Sequence, residues 1–340
     1  SLGTPAIRVR TTLANTTSTV FSGQGTEPAP ARSPRGAVLI AGPTASGKSA
    51  LAAQIAEAFE GTVINTDAMQ LYAGLPLLTA QPSDAERAMV PHRLYGVLSG
   101  EERASAGGFC RLVAPVLQEA QKAGRLPVFV GGTGLYFKAL TDGLSAIPPI
   151  DPTIRSALVA AVDRGEKTAL REELEAGDPA WAAQVTDGDV QRLLRGLEVL
   201  RGTGQALSAW QRAPRRPMLS SPWVGFVLEA DRPWLEARSR ARFEAMLRKG
   251  ALDEVAAFIA ATPAADHPLR KAIGFRELAQ VLDGQQSLEA ATEAAQIATR
   301  RYAKRQATWF KHQIVAWNRI NAQFLERNSL DIFAKVREMG

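Results

Sequence analysis

Cysteine is almost missing from this sequence: the 340 residues contain one, Cys110. No disulfide can close within the chain, and no cysteine-based zinc site can be assembled. Histidine is also scarce. His92, His267 and His312 lie far apart, so no imidazole metal cluster is expected. No apolar run reaches the roughly 18 residues that span a bilayer, which predicts a soluble, cytoplasmic protein without a membrane partner. Acidic residues are missing where basic ones gather. Residues 1–35 hold four arginines and the single acid Glu27, and residues 294–325 hold no acid. The rest is ordinary. A hydrophobic content of 46% supplies a sizeable core, and a formal charge of +6 suits a polyanionic partner without requiring one.

Residues 1–35 are rich in Ser, Thr, Pro and Gly and show no amphipathic period. Such a segment buries too little apolar area to offset its ordering entropy, so a disordered tail is expected; the same composition suits an organellar transit peptide. Residues 37–41 read as a buried parallel strand, followed by a glycine-rich loop and an alanine-rich helix over 49–59. Strands at 62–65 and 126–130 alternate with a helix at 109–123 that stops at Gly124. This order predicts an α/β fold, a parallel sheet with helices on both faces.

The pattern changes after the stiff stretch Ile147-Pro148-Pro149-Ile150, where Asp151 can cap a helix that starts at Pro152. Helices alone are expected at 153–164, 166–176, 179–184 and 188–201. A strand returns at 223–228, and helices are expected from there to the end. The reading is a core made of 36–149 and 210–340, interrupted by an all-helical insertion at 150–209.

Gly42-Pro43-Thr44-Ala45-Ser46-Gly47-Lys48-Ser49 matches the spacing G-x-x-x-x-G-K-[ST] between a strand and a helix. The glycines let backbone N–H groups turn toward phosphate oxygens. The helix start adds its positive end, Lys48 adds a mobile charge, and the Ser49 hydroxyl can ligate Mg²⁺. The loop predicts a diphosphate or triphosphate ligand, ATP included, and leaves the reaction open. Asp67 follows the strand at 62–65, where a carboxylate faces the ligand crevice; it can hold a metal, act as a base or cap a helix. The amide of Gln70 can read a base edge. The turn Gly131-Gly132-Thr133-Gly134 permits close backbone approach to a ligand, or is a plain tight turn.

These segments recur together in one family. The P-loop, Asp67-Ala68-Met69-Gln70, Pro91-His92-Arg93-Leu94, residues 130–136, Gln191-Arg192-Leu193-Leu194-Arg195, Ala272-Ile273-Gly274-Phe275-Arg276-Glu277, and Tyr302-Ala303-Lys304-Arg305-Gln306 with Thr308-Trp309-Phe310 occur in this order. Together they resemble the bacterial-type tRNA dimethylallyltransferases, over about residues 37–312.

The resemblance implies a P-loop NTPase-like core and transfer of a dimethylallyl group from dimethylallyl diphosphate to N6 of the adenosine just 3′ of the anticodon, in tRNAs reading codons that start with U. It implies Mg²⁺ at Ser49, the diphosphate in the 42–49 loop, Asp67 as the base and Thr133 as its partner near the leaving oxygen. Arg238 is expected at the leaving group, with Arg232 as the second choice. Residues 67–70, Thr133, Arg155 and 191–195 match segments that contact tRNA. No obligate protein partner is evident, and a monomer is expected.

The chain departs from the family at Leu78-Thr79-Ala80-Gln81-Pro82, where Gln81 replaces a usual lysine and removes an expected phosphate or RNA contact. Many eukaryotic members carry a C-terminal zinc finger, which one cysteine cannot build within these residues. The acid-free stretch 294–325 holds Arg300, Arg301, Lys304, Arg305, Lys311 and Arg319 among Tyr302, Trp309, Phe310 and Trp317, the composition of an RNA-facing helix or of a solvated amphipathic one. The P-loop alone also fits an ATP-using kinase, an adenylate isopentenyltransferase or an RNA-binding ATP switch.

Overall fold

A computed structural model describes residues 36–220, 222–261 and 264–339; the expected tail at 1–35 lies outside the described residues. The core opens with β1 (Ala37–Ala41), α1 (Lys48–Ala58), β2 (Thr62–Asn65), α2 (Asp84–Met89), β3 (His92–Arg93), α3 (Ala106–Lys122), β4 (Pro127–Gly131) and α4 (Gly134–Thr141). Next come α5 (Pro152–Asp163), α6 (Lys167–Gly177), α7 (Pro179–Ala182), α8 (Val190–Thr203) and α9 (Leu207–Arg212). The chain returns through β5 (Trp223–Glu229), α10 (Arg232–Arg248), α11 (Ala251–Ala261), α12 (Phe275–Leu282), α13 (Leu288–Gln313), β6 (Asn318–Asn321) and α14 (Leu325–Arg337).

The strands form one parallel sheet in the order β3-β2-β4-β1-β5-β6. β1, β2 and β4 are buried along their whole length, as strands covered on both faces must be. Alternate side chains go to opposite faces. Leu39, Ile64, Phe129 and Val227 pack with Phe109, Phe137 and Phe310 on one side. Ile40, Val63, Val128 and Phe226 pack with Leu51, Ile55, Ile332 and Val336 on the other. The chain leaves β1, skips one place to build β2, and fills the gap later with β4. The turns that follow β2, β4 and β1 therefore open side by side at the carboxyl end of the sheet, where open α/β sheets bind ligands.

Two expectations for the C-terminal region need correction. β6 pairs with β5, from Phe226 opposite Asn318 to Glu229 opposite Asn321, where the sequence pattern suggested helices only. The acid-free stretch is accordingly not one helix: α13 ends at Gln313, and Trp317 and Arg319 belong to the sheet edge. Gly225 makes room for this edge, since a Cβ there would lie 2.3 Å from the Trp317 ring.

The helical segment follows its sequence signals closely. Asp151 accepts a hydrogen bond from the Thr153 N–H at 2.9 Å, with Pro152 in the first position of α5. α5 to α9 enclose a separate apolar cluster that contains Leu158, Leu170, Leu174, Trp181, Leu197 and Leu207. Trp210 packs against the same cluster, and α9 runs to Arg212. Among the described residues, no helix is long and apolar enough to cross a membrane.

Candidate active site

The turns after β1, β2 and β4 meet α10 and α13 around a cavity of about 350 Å³. The phosphate loop forms one end. Gly47 has φ +89°, and Ala45 is also left-handed at +64°, so the loop folds tightly back on itself before α1 begins. Lys48 donates to the Pro43 carbonyl at 3.2 Å. Thr44, Lys48 and Ser49 line the cavity, whereas Gly42, Pro43 and Ser46 are buried beneath it. Burial pulls the Lys48 ammonium down to about 8, with the neighbouring Arg242 adding to the shift and Asp67 opposing it.

Asp67 leaves β2 in a turn that Asn65 braces. The Asn65 side chain accepts from the Asp67 N–H at 2.8 Å and donates to the carbonyls of Asp67 and Leu94 at 2.9 Å each. Asp67 Oδ1 accepts from the Met69 N–H at 3.0 Å, which leaves Oδ2 for the cavity. Thr133 lines the same space, and its Oγ1 accepts from the Ala68 N–H at 3.0 Å. This bond ties the turns after β2 and β4 together.

The glycines of the second turn make room for the protein's own chain. A Cβ at Gly131 would sit 2.2 Å from the Thr66 backbone, one at Gly132 2.1 Å from Gln306 Nε2, and one at Gly134 2.1 Å from Trp309. Gln70 also faces the cavity, but its amide nitrogen is committed to the carbonyls of Thr79 and Ala80 at 2.9 and 2.8 Å. Gln81, which replaces the expected lysine, lies outside the cavity lining and donates to the Tyr72 carbonyl at 2.8 Å.

Two arginines of α10 reach the phosphate loop, and they differ in whether they line the cavity. Arg238 is exposed, stacks on Trp234 and donates to the Ala45 carbonyl at 3.0 Å from outside the cavity. Arg232 is exposed at the start of α10. Arg242, one turn beyond Arg238, lines the cavity and donates to the Thr44 hydroxyl. Burial holds its guanidinium below the usual arginine range, against the pull of Asp67. The i, i+4 spacing was the signal in the sequence, because both arginines fall on one helix face.

α10 also supplies Phe243 and Met246, which form an apolar wall with Leu78, Ala272 and Ile273. Lys271, Tyr302, Arg305 and Gln306 complete the lining. Burial and the Asp67 carboxylate keep the Tyr302 hydroxyl above the usual tyrosine range. Cationic groups therefore stand at the phosphate loop and elsewhere in the cavity wall, with the carboxylate and an apolar surface in the same space.

The helical segment lies apart from this lining. Arg155 donates to Gln191 at 2.7 Å and pairs with Glu198, which also takes Arg195 at 3.0 Å. Arg192 stacks on Trp181. Leu193 and Leu194 are each 2% exposed inside the segment's own cluster. Their side chains pack within the segment, while Gln191 and Arg195 of the same stretch are exposed.

The IPP transferase family pattern matches residues 70–313. The chain belongs to the IPP transferase family. It is 46% identical over 304 residues to a tRNA dimethylallyltransferase of Parvibaculum lavamentivorans, covering 89% of this chain and 96% of the relative. A Methylobacterium protein of the same name is 50% identical over 278 residues, covering 82% of this chain and 91% of the relative. Among solved structures, the tRNA isopentenylpyrophosphate transferase of Bacillus halodurans has a TM-score of 0.63 at 30% identity, with 89% and 97% of the two chains covered. A eukaryotic dimethylallyltransferase acting on tRNA has a TM-score of 0.73 at 25% identity, with 88% and 77% covered.

Proposed function

We propose that this transferase moves a dimethylallyl group from dimethylallyl diphosphate to N6 of the adenosine 3′ of the anticodon, in tRNAs that read codons starting with U. One observation carries the reading: Asp67 opens into the cavity that also holds Lys48, Arg242 and an apolar wall. A phosphate end, a base and a surface for a small hydrocarbon are the parts that prenyl transfer to a weak nucleophile needs.

The diphosphate would lie in the loop at 42–49, against Lys48 and Arg242. A bound dianion favours the protonated form of Lys48. The N6 lone pair is delocalised into the adenine ring. Asp67 Oδ2 accepts the N6 proton as the C–N bond forms and the C1–O bond breaks, and inorganic diphosphate leaves. Positioned bases of this kind are worth roughly 10²–10⁴ in rate. Lys48 and Arg242 meet the charge that grows on the departing diphosphate. Arg242, rather than Arg238, takes this role because it reaches the cavity. Thr133, tied to Ala68, fixes the turn beside Asp67 and presents its hydroxyl to the leaving oxygen.

The oxygen donors of Ser49 and Asp67 line one cavity, and they suit Mg²⁺, which is commonly held by one or two protein oxygens together with substrate phosphates and water. Ser49 would hold the ion, which when bound would neutralise charge on the diphosphate. N6 is inaccessible in a stacked base, so the adenine enters flipped out. The basic face of α13 and the paired arginines of the helical segment, Arg155 and Arg195 with Gln191 and Arg192, support the tRNA outside the cavity. The reading places the work in the cytoplasm, on a monomer.

The test is nucleoside mass spectrometry of tRNA incubated with the protein, Mg²⁺ and dimethylallyl diphosphate. One dimethylallyl group on the adenosine 3′ of the anticodon is expected. Phosphate from ATP on any acceptor, with no prenyl adduct, would overturn the reading.

A further inference from the structure

Gln306 lies on the buried face of α13 and is 5% exposed. Its carboxamide joins two parts of the site that come from distant stretches of sequence. The oxygen accepts from the Thr44 N–H of the phosphate loop at 3.0 Å. The nitrogen donates to the Gly132 carbonyl at 3.0 Å. This reach requires glycine at 132, because a Cβ there would lie 2.1 Å from Gln306 Nε2. Each partner is bonded onward to a group that faces the cavity. The Thr44 hydroxyl takes Arg242. Thr133, next to Gly132, accepts the Ala68 N–H beside Asp67. One amide therefore closes a connected path from the diphosphate-facing arginine to the carboxylate.

We propose that Gln306 is a positioning residue that holds the phosphate loop in register with the Asp67–Thr133 pair. The proposal rests on the transfer reading above and adds a requirement to it. The leaving diphosphate is held by one loop and the base by another, so attack on C1 depends on the spacing between them. Reacting atoms must lie about 3–3.5 Å apart and aligned, and an error of about 1 Å costs on the order of 10²-fold. A strand-end turn and a glycine-rich loop are not rigid relative to each other unless something bonds them. Gln306 does so with both of its polar functions, one accepting and one donating.

The experiment is single-turnover transfer at saturating tRNA and dimethylallyl diphosphate, with tRNA affinity and melting measured alongside, for wild type, Gln306→Met and Gln306→Glu. Methionine keeps the length of the side chain and removes both bonds. Its rate should fall roughly 10- to 100-fold, with tRNA affinity unchanged and the protein still folded at the assay temperature. Glutamate keeps an acceptor for Thr44 but sets a carboxylate oxygen against the Gly132 carbonyl. Protonation of that carboxylate restores a donor. The ratio of its rate to wild type should therefore climb as pH falls toward the carboxylate range. A purely structural role gives a ratio flat in pH. The proposal is overturned by a methionine variant within twofold of wild type, or by a flat glutamate ratio. If the methionine variant does not fold, the glutamate profile decides. Absence of prenyl transfer by the wild-type protein would sink the parent reading, and this one with it.

Discussion

The sheet core and the helical segment handle charge in opposite ways. In the core, Lys48 and Arg242 are desolvated enough to lower both pKa values, and both face Asp67 across a cavity. In the helical segment the charges stay near water and pair locally: Arg155 and Arg195 with Glu198, Arg171 with Glu175, Arg201 with Glu173, and Arg164 with Glu166. Exposed pairs of this kind contribute little to stability and rearrange easily around a phosphate backbone. Cations held without a salt-bridge partner are costly and rigid, so they persist where an anionic ligand neutralises them. The proposed function puts chemistry in the core and docking on the helices, in line with this contrast.

The largest expected effect is in the core. Asp67→Asn should slow single-turnover transfer by roughly 10²–10⁴, because the amide cannot take the N6 proton. Melting temperature and tRNA affinity should stay near wild type. A defect that shrinks as Mg²⁺ is raised would make Asp67 a metal ligand instead, and lost stability with normal turnover would make it a helix cap.

Lys48→Ala should cost on the order of 10²–10³ in rate, as for the loss of one preorganised donor, while filter binding of tRNA is unchanged. The same lysine predicts a pH effect with a definite sign. Its free-protein value is about 8, and the bound diphosphate raises it, so binding takes up a proton above that value. Dimethylallyl diphosphate affinity should be flat below pH 8 and fall by up to about tenfold per unit above it. The alanine variant should show no such slope. Calorimetry across pH 7–9.5 checks this.

Replacing Arg300, Arg301, Lys304 and Arg305 with alanine should weaken tRNA binding several-fold and flatten its salt dependence, since fewer counterions are released. The rate at saturating tRNA should be largely kept in the triple variant that leaves Arg305 in place. Arg305 also lines the cavity and is the member whose single substitution can lower the rate. An unchanged salt slope would return this helix face to plain solvation. The smallest effect is expected in the insertion. Arg155→Ala should change stability by less than about 1 kcal/mol and tRNA affinity modestly, with no change in the transfer step. A rate loss like that of Lys48→Ala would break the division between chemistry and docking.

What the sequence made legible follows the same division. The phosphate loop is readable because glycine spacing, a preceding apolar strand and a following helix each constrain one short segment. Asp67 and Thr133 are readable because strand ends on one side of a parallel sheet face the crevice. The arginine is harder to read. Arg238 and Arg242 share one face of α10, and nothing in the sequence states which turn stands opposite Thr44. The segment 191–195 covers more than a helical turn, so some of its members must point inward; Leu193 and Leu194 do. β6 escapes detection because Asn318-Arg319-Ile320-Asn321 is too polar to read as a strand, and β5 alone gives it a partner. Gln306 carries no signal of its own. Its role exists only where α13 crosses two loops that tertiary packing brings together.

The central claim is that the P-loop holds a leaving diphosphate and does not spend ATP. The most direct measurement follows inorganic diphosphate release and prenyl incorporation into tRNA in one reaction that contains Mg²⁺ and dimethylallyl diphosphate but no ATP. The account predicts one diphosphate released for each prenyl group bound, with Lys48→Ala and Asp67→Asn slowing both together. Incorporation that requires ATP, or diphosphate release without a prenyl product, would contradict it.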